Sequence, residues 1–190
     1  MKERQGRRNE GLRAGWFAAA NEILAGEGYG ALKLATLCRR LGVTTGAFYH
    51  SFDSWQAFTD ALLDAWLTER TDHTAQIVRT EKDPATRLRL MIGAGSELLH
   101  ATEAAIRVWA GVDERVARVQ REVDHRRYEV VFEAASDLVG PDRAEAYTVW
   151  ALSTLVGYEM LAAEHDHSHL LWALEQVLAQ AEDEASRRTD

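Results

Sequence analysis

Apolar residues recur along nearly the whole chain at the 3.6-residue period of a helix, and only two of its 190 residues are proline. Trp16, Phe17, Ala20, Ile23 and Leu24 fall on one helical face. So do Leu34, Leu37, Cys38 and Leu41, then Phe58, Ala61, Leu62, Ala65 and Trp66, then Val116, Val119, Val123 and Val130. A strand needs a sustained alternation of apolar and polar residues, and no segment supplies it. Pro84 and Pro141 follow Asp83 and Gly140, where proline suits a first helical turn because that turn's N–H has no partner to lose. The pattern therefore predicts an all-α chain.

Caps and breakers divide it into about nine helices. They cover residues 11–26, closed by Gly26-Glu27-Gly28; 32–41, closed by Gly42; and 44–51, capped by Thr44 or Thr45. The next start at 53 or 54 and run past 70, then cover 84–101, 103–110, 113–140, 141–164 and 168–186, the last capped by Ser168. Cys38, the single cysteine, rules out an internal disulfide framework and sits on an apolar face, as a small packing residue does. Residues 1–13 are charged and lack the apolar core of a signal peptide. The longest mostly apolar stretch, 149–158, is about half a membrane span. A cytoplasmic protein with no membrane partner is expected.

The net charge is −8, which argues against a protein that coats nucleic acid indiscriminately. The charge is not evenly spread. Residues 1–52 hold eight basic residues (Lys2, Arg4, Arg7, Arg8, Arg13, Lys33, Arg39, Arg40) and four acidic ones, net +4. The remainder holds 14 basic and 26 acidic residues, net −12. A basic first quarter on an acidic body fits a nucleic-acid reader joined to something else, although a short imbalance also arises by chance.

The most informative stretch is 34–52, LATLCRRLGVTTGAFYHSF. Two short apolar helices flank Leu41-Gly42-Val43-Thr44, a glycine-containing turn of helix-turn-helix length. Gly42 permits the reversal because glycine enters positive φ at little cost. Leu34, Leu37, Cys38 and Leu41 are expected inside, as are Phe48 and Phe52, with Val43 plugging the gap between helices. The second helix then shows Thr45, Gly46, Ala47, Tyr49 and His50 on its other face. Its small N-terminal residues suit close approach to a major groove, and hydroxyls can meet phosphate or base edges.

With Ala20, Leu24, Gly28-Tyr29, Leu34, Leu37, Leu41-Gly42-Val43-Thr44, Gly46, Phe48-Tyr49 and Phe52 in this order, the chain resembles the TetR family of transcriptional regulators. The resemblance covers about residues 12–62 at the level of motif. It implies an N-terminal three-helix helix-turn-helix domain, 1–52, and a C-terminal helical-bundle domain for ligand and dimer, 53–190. It also implies a DNA-contacting set of Lys33, Arg39, Arg40, Thr44, Thr45, Gly46, Ala47, Tyr49 and His50. Two departures stand out. Leu32 occupies the position where the family usually caps the first motif helix with Ser or Thr, so that cap falls to Gly30 or is absent. Trp55 stands where many members carry a phosphate-binding lysine, so Lys33, Arg39, Arg40 and the arm residues Arg4, Arg7 and Arg8 are expected to supply phosphate contacts, each being equally well a solvated surface charge.

For the body, the resemblance implies that the last two long helices pair with their mates in a homodimer. Ala151, Leu155, Tyr158, Leu171, Leu174 and Leu178 form suitable stripes, which could instead pack within one chain. A two-fold operator reader needs two recognition helices about 34–36 Å apart. Trp66, Met91, Gly95, Leu99, Trp109, Tyr128, Trp150 and Tyr158 are candidate lining for an apolar or aromatic effector, and each is also a candidate core residue. His100 and Arg107 are candidate polar groups for the same pocket.

His165, His167 and His169 invite a metal reading, but a polar loop between helices is the simpler one. No nucleophile elbow, phosphate loop or zinc-protease motif occurs, so neither an enzyme nor a cofactor is expected. The expected function is a ligand-responsive, dimeric DNA-binding regulator: a repressor released from its double-stranded operator by a small molecule. The alternative is a helical-bundle metal-binding protein or enzyme built on the histidine cluster.

Overall fold

The computed structural model describes residues 2–68, 73–161 and 166–189, with side chains at 13–68, 75–161 and 166–188. The described residues form ten α-helices and one 3-10 turn, with no strand. They are α1 Lys2–Glu27, the 3-10 turn Tyr29–Ala31, α2 Leu34–Leu41, α3 Thr45–Tyr49, α4 Trp55–Leu67 and α5 His73–Arg79. There follow α6 Pro84–Ser96, α7 His100–Ala110, α8 Glu114–Val139, α9 Pro141–Glu159 and α10 His167–Thr189. The all-α class holds. The one helix beyond the expected nine is α5, whose seven residues are too short for a period to stand out. α4 is described as Trp55–Leu67, and the stretch in which helix was expected past Arg70 lies outside the described residues, whereas α6 stops at Ser96. There Ser96 Oγ–H donates back to the Gly93 carbonyl at 2.7 Å, and Glu97 N–H turns to Ala94. No described helix is long and apolar enough to cross a membrane.

The chain forms two compact units, each interrupted in sequence. One comprises residues 1–66 and 99–120, the other 67–98 and 121–190. The three boundaries fall inside α4, between α6 and α7, and inside α8. The reason is packing: α7 lies along α1, with Thr102 Oγ1–H donating to the Asn21 carbonyl at 3.3 Å. Trp66, buried at the end of α4's share of this unit, gives its indole N–H to Glu103 Oε1 at 2.7 Å. Arg115 reaches Asp60 at 2.8 Å. Ile23, Leu24, Leu37, Phe48, Phe58 and Ile106 are fully buried in it.

In the second unit α10 packs on α6 and α9. Leu155, Leu170 and Leu174 form one core cluster, with Ile92, Leu98, Ala151 and Tyr158 against it. Arg87, itself buried, pairs with Asp137, and Arg89 pairs with Glu182. Gly140 turns α8 into α9 at φ +86°, where a Cβ would also meet the Arg188 guanidinium at 2.6 Å.

Two helix starts depend on aspartate. Asp83 accepts the Thr86 N–H at 2.8 Å and the Thr86 hydroxyl at 2.7 Å. Asp166, not Ser168, serves α10, accepting the Ser168 N–H at 2.8 Å; the helix begins at the next residue, His167. Glu184 accepts from Arg143 at 2.7 Å and from the Tyr147 hydroxyl at 2.7 Å. These hydrogen bonds hold all three carboxyls below their ordinary range, the bonds from Thr86, Ser168 and Arg143 being the largest cause in turn. A carboxyl lowered in the folded state stabilises fully above its unfolded value, and that stabilisation is lost as pH falls through the lowered value. Melting should therefore be flat from neutral pH down to about pH 4 and fall below it. Glu184→Gln should melt lower at neutral pH and show a shallower acid decline, measured by circular dichroism. An equal decline in wild type and variant would remove Glu184 as a contributor.

Candidate nucleic-acid interface

The helix-turn-helix geometry follows from its local chemistry. Gly42 adopts φ +66°, ψ +30°, and closes α2 with two backbone bonds: Gly42 N–H to the Arg39 carbonyl at 3.2 Å and Val43 N–H to the Cys38 carbonyl at 3.0 Å. That pair ends a helix in the left-handed residue that glycine alone adopts cheaply. α2 starts at Lys33 in an extended conformation with no side-chain cap, so the missing Ser or Thr is not replaced by Gly30. Thr44 holds the N-cap position of α3, but its hydroxyl caps nothing.

An aromatic cluster holds α3 in place. Phe48 has no exposed surface and lies 5.4 Å from the Trp16 ring, 5.4 Å from Phe52 and 5.5 Å from Phe58. Trp16 also donates its indole N–H to Ser51 Oγ at 3.2 Å, fixing the residues that follow α3. The Arg13 guanidinium lies 5.1 Å from the Phe52 ring centroid, a cation–π distance. Leu37 and Cys38 are buried and Leu34 and Leu41 half-buried, as their spacing requires; burial pushes the Cys38 thiol up. Val43 does not plug the gap. It is 39% exposed, because Phe48 and Leu37 already fill the space between the helices.

The opposite face of α3 is open. Thr44, Thr45, Gly46 and His50 are exposed, Tyr49 is 55% exposed and Ala47 half-buried. A Cβ built on Gly46 would meet only Thr44 Oγ1, at 3.6 Å. Lys33 and Arg39 are exposed beside this face in sequence. Arg40 is engaged elsewhere. Its guanidinium bonds Glu27 at 2.5 Å and Glu22 at 3.4 Å, tying α2 to α1. The side chains of Arg4, Arg7 and Arg8 lie outside the described residues.

Of the eight residues expected to line one effector pocket, five belong to the second unit and three to the first. Met91 and Gly95 line a cavity of about 90 Å³ in the second unit, with Ala75, Ala94, Leu98, Arg126, Arg127, Val130, Val131, Leu152 and Leu155. Trp66, Leu99 and Trp109 belong to the other unit, as do His100 and Arg107. There Trp66 is bonded to Glu103, and Trp109 stacks on Tyr29 at 6.5 Å. Tyr128 stacks on Phe132, Trp150 is 47% exposed, and Tyr158 meets His167 edge-on. A second cavity, about 60 Å³, is lined by Leu88, Ile92, Val131, Ala135, Tyr147, Ala151, Leu174, Val177, Leu178 and Ala181.

Four residues expected at a dimer interface thus line cavities within one chain, and Leu155, Leu174 and Leu178 are already buried there. Leu171 and Tyr158 are half-buried. Of the histidine cluster, His165 lies outside the described residues, and His167 and His169 are exposed. Among the described residues no group of three His, Cys, Asp or Glu side chains could hold a metal.

Residues 17–62 match the family model of the bacterial regulatory proteins of the tetR family. No curated protein matches the chain. Among solved structures, a transcriptional regulator from Rhodococcus sp. Rha1 has a TM-score of 0.72 at 20% identity, covering 90% of this chain and 96% of that one. A TetR transcription regulator from Haloarcula marismortui has a TM-score of 0.69 at 19% identity, covering 94% and 98%. The transcriptional regulator FadR from Bacillus subtilis, solved in complex with stearoyl-CoA, has a TM-score of 0.67 at 14% identity, covering 90% and 98%. At these identities the likeness is one of fold.

Proposed function

Through residues 17–62 this chain belongs to the TetR family of DNA-binding transcriptional regulators, and we propose that it acts as a homodimeric, ligand-responsive repressor of a double-stranded operator. The observation that carries this reading is the open α3 face, Thr44, Thr45, Gly46, Ala47, Tyr49 and His50, braced from behind by buried Phe48. Small residues at the start of α3 let its backbone approach base edges closely, while Tyr49, Lys33 and Arg39 reach phosphates. Such a protein works where its DNA is, in the cytoplasm.

Two small apolar cavities in the second unit support a ligand-responsive reading, as does the stearoyl-CoA bound by the Bacillus subtilis regulator of like fold. An effector that binds better when the two recognition helices are misplaced lowers operator affinity, and the operator lowers effector affinity by the same factor. Of the three places where the chain passes between the two units, two lie inside helices, α4 and α8, which are the natural carriers of the coupling. A two-fold operator calls for two reading heads. The dimer face best suited to this is the exposed apolar surface of Val149 and Trp150 on α9 and Trp172 on α10, with Met160 and Leu161 just beyond α9, and not the leucines already buried.

Gly46→Ala tests the reading. The added Cβ makes only an ordinary contact, and alanine is the better helix former, so stability should hold or rise by roughly 0.5–1 kcal/mol. The methyl nonetheless stands where a base edge must approach, and operator affinity should drop about tenfold or more. Gel shifts on the DNA upstream of the chain's own gene measure this. A variant that binds as tightly as wild type would remove α3 as the groove-reading helix.

A further inference from the structure

Three side chains of α1 grip the end of α3. Trp16 donates its indole N–H to Ser51 Oγ at 3.2 Å, Phe17 packs on Phe52 with ring centroids 6.0 Å apart, and Arg13 places its guanidinium 5.1 Å from the Phe52 ring centroid. Residues three and four apart share a helix face, so Arg13 projects to the same side of α1 as Trp16 and Phe17. Phe52 is itself tied to α3, because its N–H donates to the Phe48 carbonyl at 3.0 Å. Arg13 thus stands beside the C-terminal end of the reading helix, next to the turn that carries exposed Tyr49 and His50.

Trp16 is buried and Phe17 half-buried, as packing residues are, but Arg13 is exposed. A ring face attracts a cation without neutralising it. Among the described residues no carboxylate pairs with Arg13, whereas two hold Arg40. The ring also restricts a side chain that is otherwise costly to order, so less freedom is left to lose on contact. The outcome is a full positive charge held in one place, on a group whose N–H fork matches a phosphate.

The position completes a frame around α3. Arg39 lies in the last turn of α2, which runs into the Gly42 turn and so belongs to the N-terminal end of α3. Arg13 belongs to the opposite end. A helix of five residues is about 7.5 Å long, shorter than the roughly 12 Å width of a major groove, so sugar–phosphate backbone lies just beyond both of its ends.

We propose that Arg13 is a phosphate contact of the reading head. It holds the DNA backbone at the C-terminal end of α3 while Arg39 holds it at the N-terminal end, and Phe52 is the platform that fixes its guanidinium. This deepens the DNA-reading function above and rests on it.

The test follows binding of the full-length protein by fluorescence anisotropy between about 50 and 200 mM salt. Two duplexes serve as probes: the DNA upstream of the chain's own gene, and a random sequence of equal length. Arg13→Gln should lower the slope of log affinity against log salt by about one per protomer on both. Arg13→Lys should keep the slope and lose about threefold in affinity, since a point charge replaces the fork. Phe52→Leu keeps the charge and removes the platform, so it should show the wild-type slope at lower affinity. Melting curves show that each variant is folded; should Phe52→Leu not fold, the two Arg13 variants decide alone.

A wild-type slope in Arg13→Gln overturns the proposal even where affinity falls, because a mere brace for α3 changes affinity without changing the number of counterions released. An Arg13→Lys slope as low as that of Arg13→Gln overturns it too, since charge would then not be what the DNA meets. Unchanged affinity in a folded Phe52→Leu overturns the role of the ring. If wild type binds and its slope is indifferent to residue 13, the Arg13 contact falls and the regulator reading stands. If wild type binds neither duplex at low salt, both fall.

Discussion

Phe48→Ala should unfold the reading head, whereas Tyr49→Ala, one residue on, should leave it folded and unable to hold DNA. Phe48 has no exposed surface, and its ring touches Trp16, Tyr49, Phe52, Trp55 and Phe58 at centroid distances of 5.4–6.0 Å. Truncating a phenylalanine in such a core costs about 3–5 kcal/mol, because the lost ring leaves a cavity that the neighbours close only in part. That is a large share of the stability of a small domain. Tyr49 is 55% exposed and makes one edge contact with Phe48, so its removal should cost about 0.5–1.5 kcal/mol. Urea unfolding followed by tryptophan fluorescence, with Trp16 and Trp55 as reporters, separates the two variants. Gel shifts complete the comparison. Wild-type DNA binding by Tyr49→Ala would mean that α3 reads nothing through this residue. A Phe48→Ala protein as stable as wild type would mean that the aromatic cluster does not hold the head together.

Operator affinity should fall about a thousandfold between roughly 50 and 200 mM salt, if each protomer neutralises about three phosphates and the dimer about six. The basis is the division of charge, +4 in residues 1–52 and −12 in the rest, which confines favourable phosphate contact to the first quarter of the chain. The structure sharpens which cations matter. Lys33 and Arg39 are exposed, whereas Arg40 is held by Glu22 and Glu27. Arg39→Gln should therefore lower the slope of log affinity against log salt by about one per protomer. Arg40→Gln should leave the slope nearly unchanged and cost stability by about 0.2–1 kcal/mol, as exposed ion pairs do. Equal flattening by both variants would show that the acidic clasp on Arg40 opens on DNA. A slope near zero would contradict the confinement of contact to the head.

Legibility in the sequence tracked how local each feature is. The turn at Gly42 was readable because its cause lies within five residues: a left-handed glycine and two backbone bonds back into α2. The inward set Leu37, Cys38, Phe48 and Phe52 was readable because the helical period marks a buried face. The same period does not say what a face is buried against. Leu155, Leu174 and Leu178 looked like an interface stripe and line or back cavities inside one chain. Trp66 and Trp109 looked like pocket lining and serve the packing of the first unit. Val43 looked like a plug, but the volume it was meant to fill belongs to larger neighbours. Arg40 was indistinguishable in sequence from Arg39, since its two glutamates lie 13 and 18 residues away on another helix.

By itself, then, the sequence determined an all-helical chain with a helix-turn-helix reading head, because periodicity, a left-handed glycine and a basic first quarter are all expressed within a few turns of backbone. Only the tertiary structure decided which arginine is clasped and which leucines are already covered. Those outcomes depend on side chains brought together from distant helices, and no residue's own period or neighbours encode which partner it will meet.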